Sequence, residues 1–192
     1  MNYEPNCEIK LSFGNHCIRS WVDVDADVLQ KYANNRKIWA NLRDIFPHPY
    51  TLEDARLWIN HAREENPTRS FAIANEDEIM GGIGLVFQDD IHRYSAELGY
   101  WLAESYWGRG IMTAAVAELT DFAFMNYPLI RIYAGPFNHN IASQRVLEKA
   151  GYRKEGLLRN NVIKDGQILH QVLYAKTKRR FHDHLPEALI IS

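Results

Sequence analysis

The stretch WLAESYWGRGIMTAAVAELTDFAF, residues 101–124, predicts the end of a strand, a glycine-rich turn and a helix. From Ile111 onward, apolar residues recur at helical spacing and alanines fill the gaps. Gly108 and Gly110 stand at the start of this helix, although each costs up to about 1 kcal/mol of helix stability relative to alanine. No Ser, Thr, Asp or Asn holds position 107 or 108 as an N-cap. The helix therefore begins with bare backbone and an arginine, Arg109, in place of a capping side chain.

A glycine-rich turn between a strand and a helix N-terminus is suited to bind an anion. Unpaired N–H groups and the positive end of the helix dipole both point at the ligand. Arg109 adds a cation, and Thr113 adds a hydroxyl in the first turn. The turn therefore predicts a phosphate or pyrophosphate site, and a tight turn that merely requires glycine is the alternative. The P-loop sequence of NTPases is absent, and the third glycine of a Rossmann dinucleotide site is missing.

The composition limits the classes of protein that need to be considered. The chain has 192 residues, of which 46% are hydrophobic and 24% are charged, and its formal net charge is -2. This near balance gives no electrostatic reason to expect nucleic acid or a membrane as the main partner. The sequence shows neither a spanning apolar run nor a signal peptide, so a cytoplasmic location is expected. Cys7 and Cys17 are expected to be reduced thiols, and pairing across a hairpin is the alternative.

The order of predicted elements indicates one mixed α/β domain over residues 1–192. Strands are predicted at 16–22, 69–75, 78–87, 94–102, 129–135, 151–158 and 168–177. Helices are predicted at 23–35, from 51 onward, from 111 onward and at 140–151. The C-terminal tail, about 176–192, contains KTKRR and HDH, for which a solvated tail is favoured over a phosphate or metal site. No metal is predicted.

Two blocks of sequence carry a resemblance to a known family. AELGYWLAESYWGRGIMTAAV (96–116) followed by NHNIASQRVLEKAGYRKEGLLR (138–159) resembles the GNAT superfamily of acetyl-CoA-dependent N-acetyltransferases. More narrowly, the chain resembles the Rim-type ribosomal-protein N-terminal acetyltransferases, and IRSWVDVDADVLQKYANN and FPHPYTLEDARLWI look like the opening of that branch. The resemblance implies a GNAT-like fold with a twisted, mixed, mostly antiparallel sheet of about seven strands and helices on both faces. It also implies that the sheet is splayed between the strand ending at 102 and the strand at 130–135.

The resemblance implies acetyl-CoA as the cofactor and places it on the glycine-rich turn. The turn motif of the superfamily is Arg/Gln-x-x-Gly-x-Gly/Ala. Aligned on Gly110, this chain departs from the motif at Trp107 and at Met112. The backbone of the turn would hold the coenzyme A pyrophosphate, through Gly108, Arg109, Gly110, Ile111, Met112 and Thr113.

The same resemblance implies a catalytic region in the splayed part of the sheet. The pantetheine arm would pass the strand that ends at Leu102, where main-chain N–H groups near Tyr100 would stabilise negative charge on the carbonyl oxygen. Asn140 and Ser143 match the Asn-x-x-Ser of the family. Ser143, in the first turn of a helix capped by Asn140, would favour the departing thiolate, and a serine with only local bonds is the alternative. The tyrosine acid of many GNAT proteins falls at Leu147, which leaves Ser143 as the candidate acid.

The general base is predicted from residues beside the expected cofactor. Glu97 could take a proton from the amine directly or through water. The alternative is a carboxylate paired with Arg93 or Arg131. The frequent glutamate of the family on the following strand falls at Gly135 here. His170 is a second candidate because histidine titrates near neutral pH, although a lone strand histidine is more often structural.

The acceptor pocket is expected in the segment between the first two long helices and on the facing strand. Aromatic walls with a few polar groups suit a small amine or a peptide N-terminus. The alternatives are that the aromatic residues pack under the second helix and that the two charged residues pair with each other. The predicted residues are Trp39, Asn41, Arg43, Asp44, Phe46, Tyr50 and Trp101.

The resemblance, together with these residues, implies an N-acetyltransferase that transfers the acetyl group of acetyl-CoA to a primary amine in a ternary complex. An α-amine of a protein or peptide is the preferred acceptor, because more of it is neutral near neutral pH than of a lysine side chain. The alternatives are a metabolite or antibiotic amine, another acyl group, or an acyl-CoA-binding sensor without catalysis. A homodimer is a further expectation.

Overall fold

A computed structural model describes residues 9–178 of the chain. Within this range, eight strands form one sheet in the order β1-β2-β3-β4-β5-β6-β8-β7. Every neighbouring pair is antiparallel except β5 and β6, which are parallel. The strands are β1 (Lys10–Phe13), β2 (His16–Arg19), β3 (Ser70–Ala74), β4 (Ile79–Phe87), β5 (Ser95–Leu102), β6 (Arg131–Ala134), β7 (Arg153–Lys164) and β8 (Gln167–Thr177).

Five α-helices accompany the sheet in the described part of the chain. They are α1 (Ala26–Ala33), α2 (Arg36–Trp39), α3 (Leu52–Glu64), α4 (Ile111–Asn126) and α5 (Ile141–Lys149). The predicted start of α3 is confirmed, since Thr51 is its N-cap and forms a capping box with Asp54. The sequence pattern does not predict α2 and extends the preceding helix to position 35. Asn35 instead caps α2, because its side chain accepts a hydrogen bond of 2.8 Å from the Lys37 N–H.

Helices cover both faces of the sheet, as predicted, and β5 shows how the two faces are built. Side chains alternate between faces along a strand. Ala96 and Leu98 join the core under α4 and α5, whereas Trp101 packs against the core under α1 and α3. Leu119 of α4 is wholly buried in the first core, and burial of such a side chain contributes about 1.5–3 kcal/mol. We call the first face the cofactor face and the second the acceptor face.

Two parts of the sheet are longer than predicted. Within residues 9–178 the sheet has eight strands, close to the predicted seven, because β1 forms a hairpin with β2. The last hairpin is longer than predicted, since β7 runs to Lys164 and β8 begins at Gln167. Asp165 and Gly166 make its turn with φ values of 52° and 72°, as in a type I′ turn. The Asp-Gly pair is the sequence signal that predicts such a hairpin.

Some predictions concern residues outside the described range. Cys7, and most of the predicted tail with its HDH sequence, lie outside residues 9–178. The predicted end of the last strand at 177 is confirmed, because β8 ends at Thr177. Cys17 is buried with a free thiol. Within residues 9–178, no helix is long and apolar enough to cross a membrane, and no three His, Cys, Asp or Glu side chains are grouped to hold a metal ion.

Candidate active site

The sheet opens between β5 and β6, as predicted. These parallel strands are paired over three residue pairs only, ending at Glu97 opposite Tyr133. Beyond this point β5 continues to Leu102 along β4, whereas β6 ends at Ala134 and pairs with β8. We call the space between residues 98–102 of β5 and the end of β6 the gap. It joins the cofactor face to the acceptor face.

Main-chain donors of β5 point into the gap. The Ala103 N–H donates to the Met80 carbonyl over 2.7 Å, so this pair lies on the β4 side of the ladder. Hydrogen-bonding direction alternates along an antiparallel strand, and the N–H groups of Tyr100 and Leu102 therefore point away from β4. The Leu102 carbonyl on the same side accepts a hydrogen bond of 2.7 Å from the Trp107 indole. The Tyr100 N–H is the donor available near the middle of the gap.

The glycine-rich turn presents bare amides at the start of α4. Gly108 and Gly110 have φ values of 75° and 78°, in the left-handed region that favours glycine. Gly110 is the N-cap without a side-chain hydrogen bond, and the Ala114 N–H is bound to its carbonyl over 3.1 Å. The N–H groups of residues 111–113 therefore lack partners within the helix. A Cβ at either glycine would meet nothing within 4 Å, so the space beside the turn is open, and its bare amides suit an anion such as pyrophosphate.

A cluster of side chains anchors the segment that leads into the turn. The hydroxyls of Tyr32 and Tyr106 donate to the same carboxylate oxygen of Glu78, over 2.6 and 2.7 Å. These two hydrogen bonds lower the pKa of Glu78. The Arg109 guanidinium lies 5.5 Å from the centre of the Tyr106 ring. The cluster thus connects α1 to the approach of the cofactor turn.

Ser143 lies across the gap from β5. Its N–H donates to Asn140 Oδ1 over 3.0 Å, which is the helix cap expected for α5. Its hydroxyl lies 2.8 Å from the Tyr100 hydroxyl, and the same phenol donates to the Ser143 carbonyl over 3.2 Å. Burial raises the pKa of Tyr100, and the phenol is therefore neutral. Leu147, at the position of the family tyrosine, is wholly buried in the core.

Glu97 lies at the point where the strands part. Its side chain faces away from the cofactor face because its neighbours along β5 are buried there. Within residues 9–178 Glu97 makes no ion pair or side-chain hydrogen bond. The predicted alternatives are not observed, since Arg131 binds Glu155 over 2.9 Å and Arg93 donates to a backbone carbonyl over 2.9 Å. The Tyr133 side chain is close by, and its pKa is raised chiefly by burial and then by the charge of Glu97.

His170 is placed differently from Glu97. Its Nδ1 accepts a hydrogen bond of 2.9 Å from the Asn160 N–H at the bulge of β7. In the neutral ring the proton must then lie on Nε2, which leaves no free lone pair to accept a proton from an amine. The structure therefore does not favour His170 as the base. Gly135 follows β6, and its carbonyl accepts a hydrogen bond of 2.7 Å from Gln171.

Predicted aromatic residues meet on the acceptor face. The Phe46 ring lies 4.9 Å from the Tyr50 ring and 6.0 Å from the Trp101 ring, centre to centre. Tyr50 belongs to the core, whereas Phe46 and Trp101 are half-buried and line the face. A Cβ at Gly82 would lie 2.8 Å from the Trp101 indole nitrogen, so glycine is required for the indole to lie over β4. The GGIG sequence of β4 is the signal for this close approach.

A buried lysine that the sequence analysis missed completes the acceptor face. Lys164 Nζ lies 2.7 Å from Asp44 Oδ1 and 3.7 Å from the centre of the Trp39 ring. The Lys164 side chain is only 3% exposed, whereas that of Asp44 is 73% exposed. Arg36 of α2 also pairs with Asp165, so two ion pairs join the tip of the β7–β8 hairpin to residues 36–44. Asp44 therefore pairs with Lys164, and not with Arg43 as the sequence alternative had it.

Two polar atoms of the same segment have no partner in the described structure. Asn41 uses its amide N–H to bind the Lys37 carbonyl over 2.9 Å, but its buried Oδ1 accepts no hydrogen bond. The His48 ring lies 5.7 Å from that of Trp39, and its buried Nδ1 also has no hydrogen-bond partner. Buried polar atoms are normally paired, so both atoms are suited to contact a bound molecule.

A splayed sheet with a bare-amide turn on one side and an aromatic face on the other defines an acyl-CoA-dependent transferase. The chain belongs to the GNAT acetyltransferase family, since the Acetyltransferase (GNAT) domain matches residues 16–153. It is an N-acetyltransferase, and its cofactor is acetyl-CoA.

Individual relatives are similar over most of their length. YjcK of Bacillus subtilis (strain 168), named as a probable N-acetyltransferase, is 39% identical over 130 residues, which are 65% of this chain and 72% of YjcK. The [Ribosomal protein uS5]-alanine N-acetyltransferase of Escherichia coli (strain K12) is 28% identical over 182 residues, 88% of this chain and 91% of that enzyme. The structure of Mycobacterium smegmatis RimJ in complex with CoA-disulfide has a TM-score of 0.74 at 27% identity, covering 84% of this chain and 81% of RimJ.

Proposed function

We propose that this enzyme acetylates the α-amine of a protein or peptide N-terminus, with Glu97 assisting removal of the proton from the amine. The observation that carries this proposal is the placement of Glu97. It lies at the opening between the two faces, and its carboxylate is free of ion pairs within residues 9–178. A carboxylate in this position can accept a proton from an amine that reaches the gap from the acceptor face, directly or through one water.

The side chains and amides around the gap have separate roles in this proposal. When bound, acetyl-CoA supplies a thioester whose carbonyl carbon is open to attack by an amine. The amides of residues 108–113 hold its pyrophosphate, and the Tyr100 N–H donates to the carbonyl oxygen as negative charge develops on it. Ser143 donates its hydroxyl hydrogen bond to the sulfur that leaves. The amine attacks directly in a ternary complex, and no side chain of the enzyme is acetylated.

Two arguments favour an α-amine over a lysine side chain. An N-terminal amine has a pKa of about 8 and a lysine amine about 10, so far more of the first is neutral near neutral pH. In this proposal the base is Glu97, and a carboxylate is a weak base. Such a site works best on an amine that is already partly neutral. The uS5-alanine N-acetyltransferase among the relatives supports the same class of acceptor.

The aromatic acceptor face supports a peptide chain of a few residues. Trp39, Phe46 and Trp101 offer apolar walls, and the unpaired atoms of Asn41 and His48 are suited to contact a peptide group. Asp44 contributes through Lys164, which it holds against Trp39.

The test is turnover on a matched panel of acceptors. The purified protein is incubated with acetyl-CoA and with peptides of identical sequence that carry a free N-terminus, a blocked N-terminus with one lysine, or neither amine. Small amines form a fourth group, and release of the coenzyme A thiol is followed. The expected result is the highest kcat/KM on the free N-terminus. A preference for lysine or small amines would overturn the acceptor class, and binding of acetyl-CoA without turnover on any amine would indicate a sensor.

A further inference from the structure

Tyr100 and Ser143 form a pair of hydroxyl groups across the gap. Their oxygens are 2.8 Å apart, and the Tyr100 hydroxyl is also 3.2 Å from the Ser143 carbonyl. Asn140 holds the Ser143 N–H at the same time. The phenol of β5 therefore contacts two atoms of a residue in the first turn of α5.

The two hydroxyls have two hydrogen-bond arrangements. A carbonyl can only accept, so in one arrangement Tyr100 donates to the Ser143 carbonyl and Ser143 donates to the Tyr100 oxygen. In the other arrangement Tyr100 donates to Ser143 Oγ, and the serine proton is free to point elsewhere. Rotation about two C–O bonds converts one arrangement into the other, and no heavy atom needs to move.

We propose that Tyr100 is a positioning residue whose hydroxyl donates to Ser143 Oγ while Ser143 donates to the coenzyme A sulfur that leaves. The inference rests on the role proposed for Ser143 above. In the transfer, the amine nitrogen bonds to the acetyl carbon, and the carbon–sulfur bond breaks with its electron pair on sulfur. The amine releases one proton and the product thiol gains one, whereas Tyr100 and Ser143 keep theirs.

The surroundings of Tyr100 suit a donor that stays neutral. Burial raises its pKa, so it donates a hydrogen bond without losing its proton. Burial also raises the pKa of the nearby Tyr152, whose hydroxyl lies 2.7 Å from that of Thr120 and does not compete for Ser143. A hydrogen bond donated to Ser143 Oγ strengthens the bond that this hydroxyl donates in turn.

The experiment measures the pKa of the coenzyme A thiol in its complex with the enzyme, from the ultraviolet absorbance of the thiolate. The variants are Tyr100→Phe, Ser143→Ala and the double variant. Tyr174→Phe is the matched control, because it removes a phenol that binds Glu148 of the same helix over 3.0 Å. Melting temperatures check that each variant is folded. No acceptor amine is needed, so the test remains valid if the proposed acceptor is wrong.

We expect Tyr100→Phe to raise the pKa of the bound thiol, and the double variant to match Ser143→Ala. Such non-additivity shows that Tyr100 acts through Ser143. In turnover, Tyr100→Phe should lower kcat about tenfold with KM for acetyl-CoA unchanged, the effect of one lost hydrogen bond between neutral groups. The proposal would be overturned if the bound thiol had the same pKa in Tyr100→Phe as in the wild type. It would also be overturned if the pKa shifts of the two single variants added in full in the double variant.

Discussion

The cofactor face and the acceptor face are built from different parts of the chain. On the cofactor face the proposed contacts are backbone amides of one short segment, residues 108–113, held by two left-handed glycines. On the acceptor face they are side chains that come together from distant positions, as in the Lys164–Asp44 pair, whose members are 120 residues apart. Backbone geometry depends on local sequence, whereas the acceptor face exists only once the sheet has formed. The two faces should therefore respond differently to substitution.

The largest effect is expected on the cofactor face. Gly110→Asp places a side chain and a negative charge in the open space above the turn, and we expect it to abolish acetyl-CoA binding in calorimetry. Gly110→Ala separates backbone strain from charge, since it adds only the cost of holding alanine in the left-handed region, about 1–2 kcal/mol. Gly166→Asp is the matched control, because Gly166 also has a positive φ and open space but lies in the β7–β8 turn. If Gly110→Asp binds acetyl-CoA normally, the pyrophosphate does not bind at this turn.

The next effect concerns the opening between the faces. Glu97→Gln keeps the shape of the side chain but removes its basicity, and kcat should fall roughly 10²-fold near neutral pH. The loss should shrink as the pH approaches the pKa of the amine, since more amine is then neutral without help. Glu155→Gln, which alters the ion pair with Arg131, is the control and should keep the wild-type pH profile of kcat. A Glu97→Gln enzyme with wild-type kcat at neutral pH would exclude Glu97 as the base.

On the acceptor face, the two members of the Lys164–Asp44 pair should not be equivalent. Asp44→Ala leaves a buried ammonium without its anion and should lower the free energy of unfolding by about 1–3 kcal/mol. Lys164→Met leaves only a solvated carboxylate and should change the free energy of unfolding by less than about 1 kcal/mol. Urea unfolding measures both values. Arg63→Ala, which breaks the exposed pair with Asp23, should change little.

Asp44→Ala and Lys164→Met should also raise KM for the acceptor, because they loosen the tip of the β7–β8 hairpin beside Trp39. KM for acetyl-CoA should stay unchanged, because neither variant alters residues 108–113. Equal losses of stability in Asp44→Ala and Lys164→Met would contradict the buried state of the lysine. A change confined to KM for acetyl-CoA would contradict the division between the faces.

The smallest effect is expected where the two faces are connected. Hydrogen bonds from Tyr32 and Tyr106 lower the pKa of Glu78. A lowered pKa in the folded state gives stability that is present above the ordinary carboxyl range and is lost as the pH falls through the folded value. In Glu78→Gln the free energy of unfolding should therefore fall less steeply as the pH is lowered, as measured by urea unfolding at several pH values. The double variant Tyr32→Phe/Tyr106→Phe should give the same shallower decline, and an unchanged slope in both would contradict the assignment.

Local signals predicted much of the fold because each depends on a few neighbouring residues. The helical period from Ile111, the capping sequence at Thr51 and the glycines at the start of α4 gave correct elements. The prediction failed at Asn35, which caps α2 instead of ending α1, and after residue 158, where the predicted strand ended although β7 continues to Lys164. Asn35 is polar because it caps the next helix, and the polar residues 159–161 form a bulge inside β7.

The sequence by itself determined the glycine turn at the start of α4, because positive φ values and the beginning of a helix depend on neighbouring residues. It also determined the helix cap that holds Ser143. Only the tertiary structure decided that Tyr100 binds Ser143, that Glu97 has no ion pair within residues 9–178, and that Lys164 is buried against Trp39. The physical reason is distance along the chain. Contacts between strands, helices and loops far apart in sequence depend on register and packing, and no local pattern of residue types specifies them.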